Sequence, residues 1–372
     1  MSQEVKFSIM DHLKGICDSR RQPLHSLSDI LTIAICAIIA GADNIVAIIK
    51  WAEQHVAWLE KIIELPNGLP SHDTVGRVLS IMDPREFEQC FINWTNAVFK
   101  KTNGDIIPID GKLLRGSYNK KAGIHAINVV GAFSTANGVV LGQVKTETKS
   151  NEITAIPALL EMLDIKGCII TIDAIGCQTE ITSKIIEKGG DYVIAVKDNQ
   201  PTLRLEIEKA FEAALEQNPN EIEFFETKEK RHGREEIRRY YKIENIDELE
   251  RIDDFSGASA IGMVESIRTV NGHTSKEVRY YIISFMTTVA FFAQCVRGHW
   301  CIENSLHWVL DVAFREDGSR IRKDNTPANM STIRRVGVNM LKQEKTEKVG
   351  IENKRRIAGW NTKYLEKILG LC

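Results

Sequence analysis

Apolar residues in roughly the first hundred positions recur every three to four residues, whereas beyond residue 105 they gather into short β-branched runs. That change of period divides the chain into a helical part and a part built on strands. In the first part, Ser28-Asp29 is placed to cap a helix from Ile30, and helical spacing continues through Trp51. Residues 65–73, with two prolines and a glycine, break the pattern. Ser71-x-x-Thr74 or Asp73 starts another helix through Val75, Val78 and Leu79. Asp83-Pro84 opens a third, whose Phe87, Phe91, Trp94 and Val98 form one apolar stripe. Residues 1–98 are therefore expected to form a helical accessory domain and are a candidate for DNA binding.

The strand region opens with Asp105-Ile-Ile-Pro-Ile-Asp110. Runs at 125–134 and 139–146 follow, joined by Thr135-Ala-Asn-Gly138, a hairpin signal. A helix is predicted at 153–163, a strand ending at Asp173, a helix at 178–188 and a strand at 192–197. This order predicts a mixed sheet, with the first strand between its hairpin partner and a parallel neighbour. Asp110 and Asp173 then emerge at the same end of adjacent parallel strands. The fold class is α/β with a ribonuclease-H-like core.

A polar helix at 203–217 leads into strand-like segments at 223–227, 236–243, 261–270 and 278–285, a β-rich insertion at about 218–288 before a helix that carries Glu303. Within it, residues 228–239 alternate basic positions and run into Tyr240-Tyr241. They suit phosphate contact and base stacking, or form an exposed charged hairpin. Residues 99–345 are expected to be the catalytic domain and 346–372 a basic helical tail.

Aspartate is depleted inside strands, so two apolar runs that each finish on Asp direct two carboxylates out of one sheet edge. A third carboxylate from a helix closes such a cluster. Carboxylates suit Mg²⁺ and Mn²⁺, and two ions held in this way serve in-line phosphodiester chemistry. Asp110, Asp173 and Glu303 are the candidate metal-binding and catalytic residues, with Asp311, Glu316 and Asp317 as nearby rivals to Glu303. On one continuous helix, His299, Glu303 and His307 share a face. The two histidines flank the metal site or contact DNA, or are buried and hydrogen-bonded. Trp300 and Trp308 are read as core residues.

With 43% hydrophobic and 26% charged residues, the 372-residue chain has an ordinary globular composition. Its net charge of −2 is unevenly spread. Residues 315–363 hold 13 Lys/Arg against six Asp/Glu, a local +7. This surplus either neutralises phosphates or solvates the last helices. The eight cysteines form no Cys-x-x-Cys, which argues against a zinc ribbon or disulfide framework. The apolar run at 31–42 is too short to span a bilayer. A cytoplasmic, nucleoid-associated protein without membrane contact is expected.

Four motifs carry a resemblance: Asp110-Gly-Lys-x-Leu-Arg-Gly-Ser117, Lys149-Ser-Asn-Glu-Ile-Thr-Ala-Ile-Pro157, Thr171-Ile-Asp-Ala-x-Gly-Cys-Gln178, and His299-Trp-x-Ile-Glu-Asn-x-Leu-His-Trp308 continuing to Asp317. In this order they resemble the DDE transposases of bacterial insertion sequences, in the branch that includes the H-repeat-associated proteins. The resemblance implies a ribonuclease-H-like core with an insertion before the last acid. It puts the acidic triad on Asp110, Asp173 and Glu303, with Mg²⁺ or Mn²⁺ expected as two ions. It also implies DNA cleavage and strand transfer at the ends of the element, on double-stranded DNA, by a homo-oligomer on paired ends. Related branches place Arg four residues before the Glu and Lys seven after it; His299 and Leu310 stand there in this chain, and Arg297 and Arg315 are candidate replacements. Lys112, Arg115, Lys197, Arg297, His299, His307, Arg320 and Arg322 are the expected DNA contacts. Other readings of the same acids are a silent DNA-binding derivative and a ribonuclease-H-like nuclease for recombination intermediates.

Overall fold

Gly41 and Asn44 divide what the apolar spacing presents as one helix through Trp51. Gly41 takes a φ of +100°, a conformation that a Cβ disfavours. Asn44 then caps a new helix by accepting a hydrogen bond from the Ala47 amide. The computed structural model describes residues 8–99, 102–118, 123, 125–146, 152–217, 222–231 and 233–371. Its helices are α1 (Ile9–Leu13), α2 (Leu27–Ile39), α3 (Ile45–Gln54), α4 (Val56–Leu59), α5 (His72–Ile81), α6 (Pro84–Val98), α7 (Glu152–Met162), α8 (Thr179–Glu187), α9 (Pro201–Gln217), α10 (Val289–His299), α11 (Trp308–Ala313), α12 (Thr326–Gln343), α13 (Ile351–Trp360) and α14 (Thr362–Leu369). Its strands are β1 (Ile106–Leu114), β2 (Ile127–Ser134), β3 (Val139–Lys145), β4 (Ile169–Ile172), β5 (Asp191–Val196), β6 (Glu223–Arg231), β7 (Arg234–Ile243), β8 (Ala260–Val270) and β9 (His273–Ile283). Residues 149–151 of the second motif and His232 of the basic hairpin lie outside the described residues.

Two of the three expected N-terminal caps are found. Ser71 accepts from the Thr74 amide, and Asp83 accepts from the Arg85 amide with Pro84 in the first turn. The third moves: α2 is capped by Ser26, which accepts from Asp29, because Leu27 is already buried as its first helical residue.

The chain forms two compact units, each discontinuous in sequence. The first contains residues 1–101, 111–151 and 302–372, and the second contains 102–110 and 152–301. In the first, α12 packs against α2, α5, α6 and β3, and its residues from Thr326 to Leu341 are all buried. Burial of its polar positions requires partners. The Asn339 side chain accepts from and donates to the Val140 backbone, both at 2.8 Å, and Gln143 donates to Thr332 at 2.8 Å. Arg334 and Arg335 lie beside Glu316 at 3.6 and 3.4 Å.

The C-terminal helices belong to the same unit. Arg355 on α13 donates to the Ile38 carbonyl at the end of α2 and to Asp43, at 2.7 and 2.6 Å. Leu365 and Leu369 of α14 are buried. Of the 13 basic residues in the expected electropositive span, Arg334, Arg335, Lys354 and Arg355 are buried. These four are internal cations, which reduces the surface available for phosphates.

In the second unit the strand order is β1-β4-β5-β9-β8-β7-β6. β1, β4 and β5 are parallel, and β5 pairs antiparallel with β9. The expected insertion therefore extends the core sheet directly, with Val193 opposite Ile283 and Val196 opposite Tyr280. α10 packs on β4, β5, β6 and β7, and Phe292 fills the space left by Gly262, where a Cβ would lie 2.4 Å from its ring. The β1 strand continues into the first unit, where β2 neighbours it and β2 pairs antiparallel with β3. The predicted hairpin turn is present, with Gly138 at φ +68°.

Several cations and aromatics of β6 and β7 have internal partners. Arg239 bridges Glu226 and Glu265 at 2.9 and 3.0 Å, Arg238 pairs with Glu236 at 2.5 Å, and Tyr240 is buried. Cross-strand charges of opposite sign stabilise a ladder of this kind. No helix among the described residues is long and apolar enough to cross a membrane.

Candidate active site

Ile107 and Ile109 point into the core from β1, as do Ile170 and Ile172 from β4. The parallel register places Ile106 opposite Ile169 and Ile109 opposite Ile172. Asp110 and Asp173 are the next residues along the two backbones, so the carboxylates leave at the same level. β1 itself continues past Asp110 to Leu114, which corrects the expectation that this strand finishes on Asp110. Strands paired in this way run about 4.8 Å apart. Asp110 is half-buried and Asp173 exposed.

The backbone after Asp173 turns at once. Its Oδ1 accepts from the Ile175 amide at 3.1 Å, which orients the carboxylate and starts a single 3-10 turn over Ala174–Gly176. A Cβ on Gly176 would lie 2.3 Å from Ile172 Cγ2, so glycine is required where the turn folds over its own strand. From the end of β5, Asn199 donates to the Ala174 carbonyl at 2.7 Å and Gln200 to the Cys177 carbonyl at 2.9 Å. These two side chains brace the turn. Lys197, beside them, is exposed.

His299 ends α10, and its Nδ1 lies 3.2 Å from Thr171 Oγ1 on β4. Burial pulls the imidazole pKa down, and the nearby Asp173 carboxylate opposes that pull. The net direction is downward, which disfavours the charged ring. Gly298 lets the helix end approach β1 closely, where a Cβ would stand 3.0 Å from Ile106. Arg297 pairs with Glu229 at 2.7 Å.

Glu303 belongs to the first unit and opens a π-helical turn over Glu303–His307. α10 ends at His299 and Trp300 is a turn residue, so the reading of residues 299, 303 and 307 as one α-helical face fails. A π turn inserts an extra residue into the helical repeat and recurs at functional sites. Lys342 donates to the Ser305 carbonyl within this turn at 2.9 Å. Glu303 is exposed and His307 half-buried. Trp300 and Trp308 are 41% and 61% exposed, which corrects their reading as core residues: the turn and the π segment rotate the expected apolar phase.

Lys112 also departs from expectation. It is 7% exposed, and its ammonium donates to both oxygens of Asp311 at 2.7 Å, with Asp317 at 3.6 Å. Its charge faces protein carboxylates instead of a phosphate. Arg115 is 77% exposed and only approaches Asp317, at 3.4 Å. Arg320 is exposed, whereas Arg322 is half-buried and donates to the Gly116 carbonyl at 3.2 Å. Arg315 takes a left-handed φ of 50°. The rivals to Glu303 are thus engaged: Asp311 and Asp317 by Lys112, and Glu316 by Arg334 and Arg335.

Asp110 and Asp173 offer oxygen donors only, at neighbouring positions beyond the paired Ile109 and Ile172, and this donor set suits a hard divalent cation. Among the described residues, no group of three or more His, Cys, Asp and Glu side chains is gathered as a metal site; the acids of the second unit stand as a pair. The braces from Asn199 and Gln200, the His299–Thr171 contact and the Lys112–Asp311 pair were not legible beforehand. Their one sequence signal is the concentration of amide and acidic residues just after core strands and after Glu303.

Residues 101–337 match the family described as "Transposase DDE domain", and residues 10–95 match "DDE_Tnp_1-associated". The chain is 43% identical over 370 residues to the "H repeat-associated putative transposase YhhI" of Escherichia coli strain K12, covering 97% of each chain. It is 43% identical over 371 residues to the "Putative transposase YncI" of Escherichia coli O157:H7, covering 98% of this chain and 95% of that one. A solved piggyBac transposase synaptic complex with hairpin DNA covers 98% of this chain and 78% of its own at a TM-score of 0.45 and 10% identity, a likeness too weak to carry an argument.

Proposed function

Starting from a chain that belongs to the transposase DDE domain family, we propose that it cuts and joins double-stranded DNA at the ends of an insertion sequence, with Asp110, Asp173 and Glu303 as the acids that hold divalent metal. The observation that carries this reading is the register of β1 and β4, in which Asp110 and Asp173 directly follow the paired Ile109 and Ile172. Glu303 is preferred as the third acid because it is exposed on a π turn while Asp311, Glu316 and Asp317 face internal cations.

Two Mg²⁺ or Mn²⁺ ions, when bound, supply positive charge to the attacking and leaving oxygens of an in-line displacement. The residues of the chain fix where that happens. The Ile175 amide holds one oxygen of Asp173, and Asn199 and Gln200 keep the turn from drifting. An oxygen of water, or of a DNA 3′-hydroxyl, bonds to phosphorus as the bond to the original 3′-oxygen breaks; the proton lost by the nucleophile passes to solvent, and the leaving 3′-oxygen takes one up from solvent. Only the nucleophile differs between cleavage and joining, so one site serves both. Arg115, Arg320 and Lys197 are exposed cations suited to the DNA backbone. Pairing of two ends calls for more than one copy of the chain.

The test is strand cleavage of DNA carrying the element's ends. Asp110→Asn should abolish cleavage in Mg²⁺ and still bind the ends. Cleavage by that variant at the wild-type rate would refute the assignment.

A further inference from the structure

The segment after Asp110 is clasped to the segment after Glu303 by contacts that none of the proposed acids makes. Lys112 lies two residues beyond Asp110 on β1. Its ammonium sits against both oxygens of Asp311, eight residues beyond Glu303 on α11. Asp317 faces Lys112 and Arg115 together, at 3.6 and 3.4 Å. Gly116 lies against the chain near residue 319, where a Cβ would fall 2.0 Å from the Ser319 carbonyl. Arg322 closes the contact by donating to the Gly116 carbonyl. All these residues belong to the first unit.

We infer that Lys112 and Asp311 form a positioning latch, which rests on the function proposed above: the pair fixes the helical segment that bears Glu303 to the part of β1 that follows Asp110, within the first unit. Neither residue touches the reacting atoms. An ion pair with a buried lysine and a half-buried aspartate is a poor device for stability alone, since apolar residues of similar volume often do as well. What it adds is register. Only one alignment of α11 along β1 lets the ammonium meet both oxygens of Asp311 while Asp317 stays within reach. Gly116 and Arg322 hold the same two segments at a second point, which resists rotation about the first.

The deciding variant is Asp311→Glu, which keeps the charge and lengthens the side chain by one methylene. Displacement of a reacting group by about 1 Å can cost on the order of a hundredfold in rate. Asp311→Glu should therefore retain a near-wild-type Tm and affinity for end DNA, yet slow strand cleavage at least about tenfold and raise the Mg²⁺ needed for half-maximal rate. A merely structural role would lower Tm and leave the metal requirement of the folded protein unchanged. Lys112→Met should show the same raised metal requirement, and Lys112→Arg a smaller one. If wild type cuts DNA and Asp311→Glu cuts equally well at the same Mg²⁺ concentration, the latch is refuted while the proposed function stands. If wild type does not cut, or Asp110→Asn cuts as wild type does, the functional reading falls and the latch with it.

Discussion

Asn199 donates its side-chain amide to the Ala174 carbonyl at 2.7 Å, tying the end of β5 to the turn that starts at Asp173. That turn is otherwise held by the Asp173–Ile175 contact and by Gln200. Asn199→Ala removes one brace without touching a proposed acid. The expected cost is about 1 kcal/mol of stability, with a fall of about tenfold in strand-cleavage rate as Asp173 loses orientation. Binding to end DNA should be unchanged. Single-turnover cleavage on pre-bound DNA checks this, and an unchanged rate would show that the remaining contacts suffice.

Glu88 gives the fold a pH dependence remote from the proposed site. Burial on α6 pushes its pKa from 4.5 up to about 8, against the opposing influence of Gln143 and Arg335 and with Asp83 adding to the rise. The folded state therefore keeps a proton that the unfolded chain releases near its ordinary value. The contribution is complete below that value, is lost as pH rises between about 4.5 and 8, and stays lost above. Glu88→Gln keeps the neutral shape and should flatten this slope. At pH 8.5 it should be more stable than wild type by on the order of 1–3 kcal/mol. Denaturant titrations at several pH values measure it; parallel slopes for the two proteins would count against a buried neutral Glu88.

Arg355 turns the last helices from an appendage into structure. Its guanidinium serves the Ile38 carbonyl and Asp43 and lies 4.2 Å from the Phe314 ring centroid. Arg355→Met should cost about 3–5 kcal/mol, because one partner of a buried pair is removed and the other left behind. Chemical denaturation gives the value. A loss below about 1 kcal/mol would mean that Asp43 is rehydrated freely.

The contrast between Arg355 and Asp110 explains what could be read in advance. Asp110 and Asp173 stand out in the sequence because each ends a β-branched run, which announces a strand locally; its end is announced at Asp173 but not at Asp110, where β1 continues to Leu114. The elements themselves followed from period and caps, as at Ser71 and Asp83. Arg355 and Lys112 look like surface cations because the carboxylates and carbonyls that bury them lie far along the chain: Asp311 is 199 residues from Lys112. The β5–β9 pairing is non-local in the same way, so the sequence announced the strands of the insertion but not that they extend the core sheet. Trp300 and Trp308 were misassigned for a different reason. A turn at residue 300 and a π segment at Glu303–His307 reset the helical phase, and neither leaves a mark in a pattern of apolar residues.

The central claim is that Asp110, Asp173 and Glu303 act on the same metal. Mn²⁺ binding, followed by electron paramagnetic resonance on the protein with its end DNA, tests this without requiring turnover. Asp110→Asn, Asp173→Asn and Glu303→Gln should each weaken Mn²⁺ binding by at least about tenfold while the protein stays folded and bound to DNA. Wild-type Mn²⁺ affinity in Glu303→Gln, alongside loss in the two aspartate variants, would contradict the three-acid site.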